Sequence, residues 1–153
     1  MTEPSWTDAF PTPTSKPARL TREDCAALLK DSSLVNGKDF VFVDVRRTDF
    51  GGGTVRGAVN VHAQTFFDNL DAFTAEYAAV KKVIFFCNSS SWTDTKMGRG
   101  PRCAAWYQDA LDTRGIKTSQ AFILSAGVKG WVNEFKDDAS LTQDYDEQFW
   151  LQA

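Results

Sequence analysis

A chain of 153 residues suits one domain that buries about 70% of its unfolded surface. Its composition, 42% hydrophobic, 24% charged and 13% aromatic, is that of a folded globule and excludes disorder throughout. The net charge of −3, with Lys/Arg and Asp/Glu interspersed, argues against non-specific binding to nucleic acid or an anionic membrane surface.

No apolar run approaches the roughly 18 residues of a membrane span, and the first seventeen residues lack the basic start and apolar stretch of a secretory signal. The expected location is the cytoplasm, with the nucleus as a second option. Three cysteines with no close pair, Cys25, Cys87 and Cys103, and one histidine, His62, indicate neither a disulfide framework nor a metal site. No metal or organic cofactor is implied, and the oligomeric state is not readable.

Residues 1–17 hold four of the five prolines and read as an extended arm, with Trp6 and Phe10 able to lay it across the domain of residues 18–153. Thr21 followed by Asp24 forms a capping pattern for a helix whose apolar positions are Cys25, Leu28 and Leu29, ending near Asn36-Gly37. The run Phe40–Val45 is almost continuously apolar, as expected for a strand covered on both faces. After Gly51-Gly52-Gly53, a short strand is expected over Ala58–Val61 and an amphipathic stretch from about Gln64 to Ala79. Lys82–Phe86 is a third strand running directly into Cys87. Pro101 sits as a first-turn proline of a helix carrying Cys103, Trp106, Tyr107, Ala110 and Leu111 and stopped by Gly115. Ala121–Leu124 is a fourth strand, followed by Gly127 and a helix over Val128–Phe135. A tail from about residue 136, with Tyr145, Phe149 and Trp150, is expected to dock on the body. Such alternation predicts an α/β domain with a central parallel sheet and helices on both faces.

In open α/β sheets the reactive site lies beyond the carboxyl ends of the strands, where Cys87 stands. An isolated cysteine is more often a small buried hydrophobe. Here it is followed by a polar run, Asn88-Ser89-Ser90-Ser91, able to curl as a nest of amides, and by Gly98-Arg99-Gly100-Pro101 at a helix start. The helix end and the nest favour a thiolate and bind an anion, Gly98 and Gly100 give the loop its freedom, and the Arg99 guanidinium suits a tetrahedral oxyanion. Arg102 is a further candidate for drawing anions, or a solvated surface charge. Cys103, one turn past Arg99, fits core packing better than a resolving thiol; Cys25 fits the apolar face of its helix, and His62 reads as structural.

Asp44-Val45-Arg46, then Gly52-Gly53-Thr54-Val55-Arg56-Gly57-Ala58-Val59-Asn60, and later Gly127-Val128-Lys129-Gly130-Trp131 resemble the ordered signatures of the rhodanese-like family across residues 18–135. The sequence is most similar to its single-domain fungal type, near the arsenate reductases and cell-cycle dual-specificity phosphatases built on that fold. The resemblance implies a single rhodanese-like domain with Cys87 and Arg99 catalytic, and Asp44 and Arg46 bracing the site from beneath. In that branch five residues separate Cys from Arg; here eleven do, as though Trp92–Met97 were inserted. Either a seven-residue ring persists with the insert looping out as a flap, or the ring is enlarged. Trp92 as a stacking wall and Asp94 as a proton donor would give the insert a role in specificity; a tolerated surface insertion is the alternative.

Three functions follow. A sulfurtransferase, ranked first, would carry sulfane sulfur on Cys87 as a persulfide. A phosphatase or arsenate reductase would use Cys87 on a phosphate ester or arsenate, with Arg99 on the oxygens. A binding or regulatory module would have little turnover. In each enzymatic case the partner is a small anion.

Overall fold

Period-two alternation within the apolar strands divides the interior into two cores. A computed structural model describes residues 5–93 and 96–152. Phe40, Phe42, Ile84, Phe86, Phe122 and Leu124 face one side of the sheet, and Val41, Val43, Val83, Phe85, Ala121 and Ile123 the other. The sheet has five parallel strands in the order β1 (Ala18–Leu20), β6 (Gln120–Leu124), β5 (Lys82–Phe86), β2 (Phe40–Asp44), β4 (Val59–Asn60). Helices α1 (Arg22–Lys30) and α5 (Gly127–Phe135) contribute to the first core, with Cys25 and Trp131. Helices α2 (Ala63–Phe66), α3 (Leu70–Tyr77) and α4 (Arg99–Thr113) contribute to the second, where Phe66, Phe73, Phe85 and Tyr107 meet edge-on or tilted. Each such buried aromatic stabilises the fold by roughly 1.5–3 kcal/mol from burial alone.

The strands expected over 40–45, 82–86 and 121–124 are present as Phe40–Asp44, Lys82–Phe86 and Gln120–Leu124, as is the Thr21–Asp24 capping box. Two expectations, the end of the first helix and the length of the strand near 58–61, are corrected, and two further features were not foreseen. Helix α1 stops at Lys30 rather than near Asn36, because Asp31 turns back to accept hydrogen bonds from the backbone and hydroxyl of Ser33. The stretch 64–79 is two helices joined by a 3₁₀ turn, Phe67–Asn69. The short strand near 58–61 shrinks to two residues. The segment just before Thr21 is a strand, β1, that completes the sheet edge.

A second, two-stranded sheet pairs β3 (Thr54–Val55) with β7 (Thr142–Gln143) antiparallel. It leads the chain into α6 (Glu147–Leu151) beside the 49–53 loop. At the other terminus, Trp6 and Phe10 pack edge-on against Trp106, whose indole donates to the Pro11 carbonyl at 2.9 Å. Among the described residues no helix is long and apolar enough to cross a membrane.

Candidate active site around Cys87

Strand β5 is central in the sheet, flanked by β2 and β6, so Cys87 leaves at its carboxyl end between α4 and α5. Two glycines hold its backbone. Gly100 presses on it from α4, where a Cβ would lie 2.9 Å from the Cys87 nitrogen. Gly127 presses from α5: its φ of +61° and a would-be Cβ contact of 2.6 Å with the Cys87 carbonyl oxygen both demand glycine.

The first turn of α5 then sets the orientation of the loop. The amides of Val128 and Lys129 donate to the carbonyls of Cys87 and Asn88, each at 3.0 Å. In a planar trans peptide the N–H is antiparallel to the preceding C=O. Fixing these carbonyls on α5 therefore turns the amides of Asn88 and Ser89 to the opposite side. Arg19 acts similarly from β1, donating to the Ser90 carbonyl at 2.8 Å, which turns the Ser91 amide away from Arg19. Within the described residues the amides of Asn88, Ser89, Ser90 and Ser91 have no protein acceptor.

The insert is pinched off at its base. The Gly98 amide donates to the Ser91 carbonyl at 2.7 Å, Trp92 and Met97 form an antiparallel bridge, and the Thr93 amide donates to the Lys96 carbonyl at 2.7 Å. The two ends of the insert, Trp92-Thr93 and Lys96-Met97, are thus paired with one another. What remains between the neck residues is a ring of seven: Cys87, Asn88, Ser89, Ser90, Ser91, Gly98 and Arg99.

A cavity of about 480 Å³ opens over this ring. Cys87, Asn88, Ser89, Ser91, Gly98, Arg99 and Arg102 line it, together with Lys96 and Met97 of the insert and Ser5, Trp6 and Thr7 of the arm. Arg102 lies over the Trp106 ring at 5.7 Å; burial pulls its pKa down, and its Nε has no hydrogen-bond partner among the described residues.

Several candidate residues stand elsewhere. Ser90 is fully buried with φ +53°; its hydroxyl accepts from the Cys87 amide at 3.2 Å, so it shapes the ring from behind rather than lining the cavity. Gly100 serves the close approach of α4. Trp92 packs against the core and borders a pocket beside Arg19; it is not among the residues that line the Cys87 cavity. Asp94 lies outside the described residues. Cys25 and Cys103 are fully buried, and burial pushes the Cys25 thiol up to about 12 and the Cys103 thiol well above its ordinary value. His62 is exposed at the start of α2.

Asp44 and Arg46 pair with one another at 2.7 Å, both fully buried. Arg46 also donates to the carbonyls of Gly51 at 2.9 Å and Gly53 at 3.0 Å, and Thr54 donates to Asp44 at 2.8 Å. Asn60 donates to the carbonyls of Asp44 and Arg46, both at 2.9 Å. These bonds give the Asp-Val-Arg and Gly-Ala-Val-Asn signatures one physical purpose: to hold the 47–53 loop.

Sequence reasoning missed Asp49 on that loop. Its carboxylate accepts from both terminal nitrogens of Arg99, at 2.8 and 2.7 Å. The hydrogen bonds from Arg99 hold the Asp49 carboxyl below the usual range, and Asp49 in turn raises the Arg99 pKa. A lone Asp in a polar loop, fifty residues from its partner, carries no periodic signal. The arm residues Ser5–Thr7 at the cavity were likewise unforeseen, although Trp6 marked the arm as a packing segment.

The rhodanese-like domain family matches residues 22–134. No curated protein matches the chain. Among solved structures, yeast Ygr203w, described as a protein tyrosine phosphatase of the rhodanese family, aligns with TM-score 0.70 and 22% identity over 90% of this chain and 99% of its own. The As–Sb reductase of Leishmania major aligns with TM-score 0.62 and 16% identity over 80% of this chain and 81% of its own. A thiosulfate sulfurtransferase from Pseudomonas aeruginosa aligns with TM-score 0.50 and 15% identity, covering 87% of this chain and 21% of that one. At these identities the likeness establishes the fold.

Proposed function

The chain belongs to the rhodanese-like domain family, and from that membership we propose a thiol enzyme acting on a small tetrahedral oxyanion, with Cys87 the nucleophile and Arg99 the oxyanion binder. The neck bond between Gly98 and Ser91 carries this reading, because it reduces an eleven-residue interval to a ring of seven. The relatives described as a phosphatase and an As–Sb reductase support the same branch. The three unpaired cysteines fit a reducing compartment, and we assign the protein to the cytoplasm.

With a phosphate monoester, the Cys87 sulfur attacks phosphorus; the S–P bond forms as the ester P–O bond breaks, and the leaving alkoxide takes a proton from solvent. Water then cleaves the S–P bond, releasing phosphate and restoring the thiol. The amides of Asn88, Ser89 and Ser91, the first turn of α4 and Arg99 stabilise charge on the equatorial oxygens. With arsenate, Cys87 displaces one oxygen as water to form an S–As bond. A low-molecular-mass thiol then attacks the Cys87 sulfur, releasing arsenite as arsenic goes from five-valent to three-valent. A second such thiol reduces the resulting disulfide.

Sulfane-sulfur transfer is the second reading, favoured by the ion pair of Arg99 with Asp49. That carboxylate offsets the charge of the guanidinium, and a singly charged persulfide demands less positive charge than a dianionic phosphoryl group. Here Cys87 attacks thiosulfate, sulfite leaves, and Cys87 keeps the sulfur until cyanide or a thiol removes it.

Three parallel assays separate the readings: an aryl phosphate, arsenate with a thiol reductant, and thiosulfate followed by the mass of Cys87. We expect turnover of the aryl phosphate or arsenate that disappears in Cys87→Ser. A persulfide adduct without oxyanion turnover would transfer the assignment to sulfur. An inert Cys87 in all three would overturn both.

A further inference from the structure

We propose that Asp49 is a positioning residue for Arg99, and that the C-terminal segment sets Asp49 by gripping the loop that carries it. The proposal rests on the reading of Cys87 and Arg99 just given. A guanidinium has five N–H donors. Asp49 takes one on each terminal nitrogen of Arg99, and the other three, including Nε–H, meet no acceptor among the described residues. The carboxylate thus fixes the plane of the fork while leaving its Nε edge for an anion. This geometry orients Arg99; it does not consume it.

Asp49 itself needs fixing, because it precedes Gly51-Gly52-Gly53, a run with little intrinsic stiffness. Two sets of contacts supply it from opposite sides. From within, Arg46 donates to the carbonyls of Gly51 and Gly53. From outside, the C-terminal segment meets the intervening residue: the Trp150 indole donates to the Gly52 carbonyl at 2.8 Å and the Asp146 amide to the same oxygen at 3.2 Å. The Phe149 ring covers Gly51 and Gly52. The segment is in turn led there by β7, which pairs with β3 immediately after the loop. One continuous path of contacts therefore runs from Trp150 through the 47–53 loop and Asp49 to the guanidinium lining the Cys87 cavity.

The test uses alkylation of Cys87 in the full chain by iodoacetate, which is anionic, and by iodoacetamide, which is neutral. The ratio of the two rates reads the guanidinium beside the sulfur, cancels general changes in access or nucleophilicity, and requires no turnover. Arg99→Gln should lower the ratio by about tenfold, the lower end of the worth of one oriented charge-assisted hydrogen bond. Asp49→Asn removes an offsetting negative charge as well as the tether, so a fall in the ratio there, against the rise that charge alone would give, reads the positioning. Trp150→Ala, and Trp150→Phe, which keeps an aromatic ring but removes the N–H, should shift it in the same direction and add nothing in the Asp49→Asn background. An unchanged ratio in Arg99→Gln would mean that Arg99 does not face Cys87 and would remove the oxyanion reading itself. A fall there with no change or a rise in Asp49→Asn would overturn the positioning role. Trp150 effects that are absent, or that persist in the Asp49→Asn background, would overturn the part given to the C-terminal segment.

Discussion

Replacing Asp44 with Asn should destabilise the protein more than any exposed charge change. Arg46 is fully buried, and its five donors are all engaged: Nε with Asp44, Nη1 with the carbonyls of Gly51 and, at 3.4 Å, Asp49, and Nη2 with Asp44 and Gly53. The amide side chain would keep one acceptor oxygen and place an NH₂ against the donors of Arg46 or Thr54. Removing one partner of such a buried pair costs about 3–5 kcal/mol, because the remaining charge is uncompensated. With an unfolding entropy of about 2.1 cal/mol/K per residue, a chain of this length should melt roughly 10–15 °C lower. Circular dichroism melts and urea titrations at neutral pH measure it, with the urea midpoint falling at constant m-value. A loss below about 0.5 kcal/mol, within the range of ordinary surface changes, would refute the argument that the pair is a single uncompensable unit. An apolar double replacement, Asp44→Leu with Arg46→Met, should not restore stability, since the Gly53 carbonyl would lose its buried donor at about 1–3 kcal/mol.

Replacing Trp92–Met97 by Asn-Gly should preserve both the fold and protection of Cys87 from alkylation by phosphate, because Ser91 and Gly98 already form the closing pair that a two-residue hairpin requires; loss of protection in a protein that still melts cooperatively would show that the ring depends on the insert. A thiol reagent should titrate one cysteine in the native protein and three in denaturant, since Cys25 and Cys103 are sealed and their thiols shifted upward while Cys87 lines the cavity; two fast native thiols would contradict this. The Asp138 carboxyl is held at about 2 by the Ser140 hydroxyl and by Lys30. A depressed carboxylate contributes stability that is present above its unfolded pKa and lost as pH falls through the folded one. Asp138→Asn should therefore lower the melting temperature at pH 7 by an amount that shrinks as pH falls toward 2, and a deficit that does not vary with pH would refute the linkage.

The strands over 40–44, 82–86 and 121–124 were legible because burial on both faces demands near-continuous apolar residues, a pattern with few alternatives. Strands β1, β3 and β7 were not, because two or three mixed residues at a sheet margin acquire their identity from a partner distant in sequence. That Cys87, Arg99 and most of the polar run between them line one cavity could be anticipated from their order alone. The ring itself could not: whether eleven residues form one loop or a ring with the insert pinched off depends on backbone pairing across the neck, to which composition is blind. Asp49 escaped for a related reason, since its significance lies wholly in the residue it meets. Ser90 shows the reverse error, a polar residue in a polar loop whose hydroxyl turns inward to the Cys87 amide.

The two glycines that clasp residue 87 limit how its sulfur can be controlled. With the peptide squeezed between Gly100 on one side and Gly127 on the other, the backbone acts as a fixed axle, and χ1 is the one torsion left to swing the sulfur. Reactivity can then be tuned only by what surrounds the arc that the sulfur sweeps. A methyl group added at either bearing would displace the axle itself, so these hydrogen-sized side chains fix the point about which the chemistry turns.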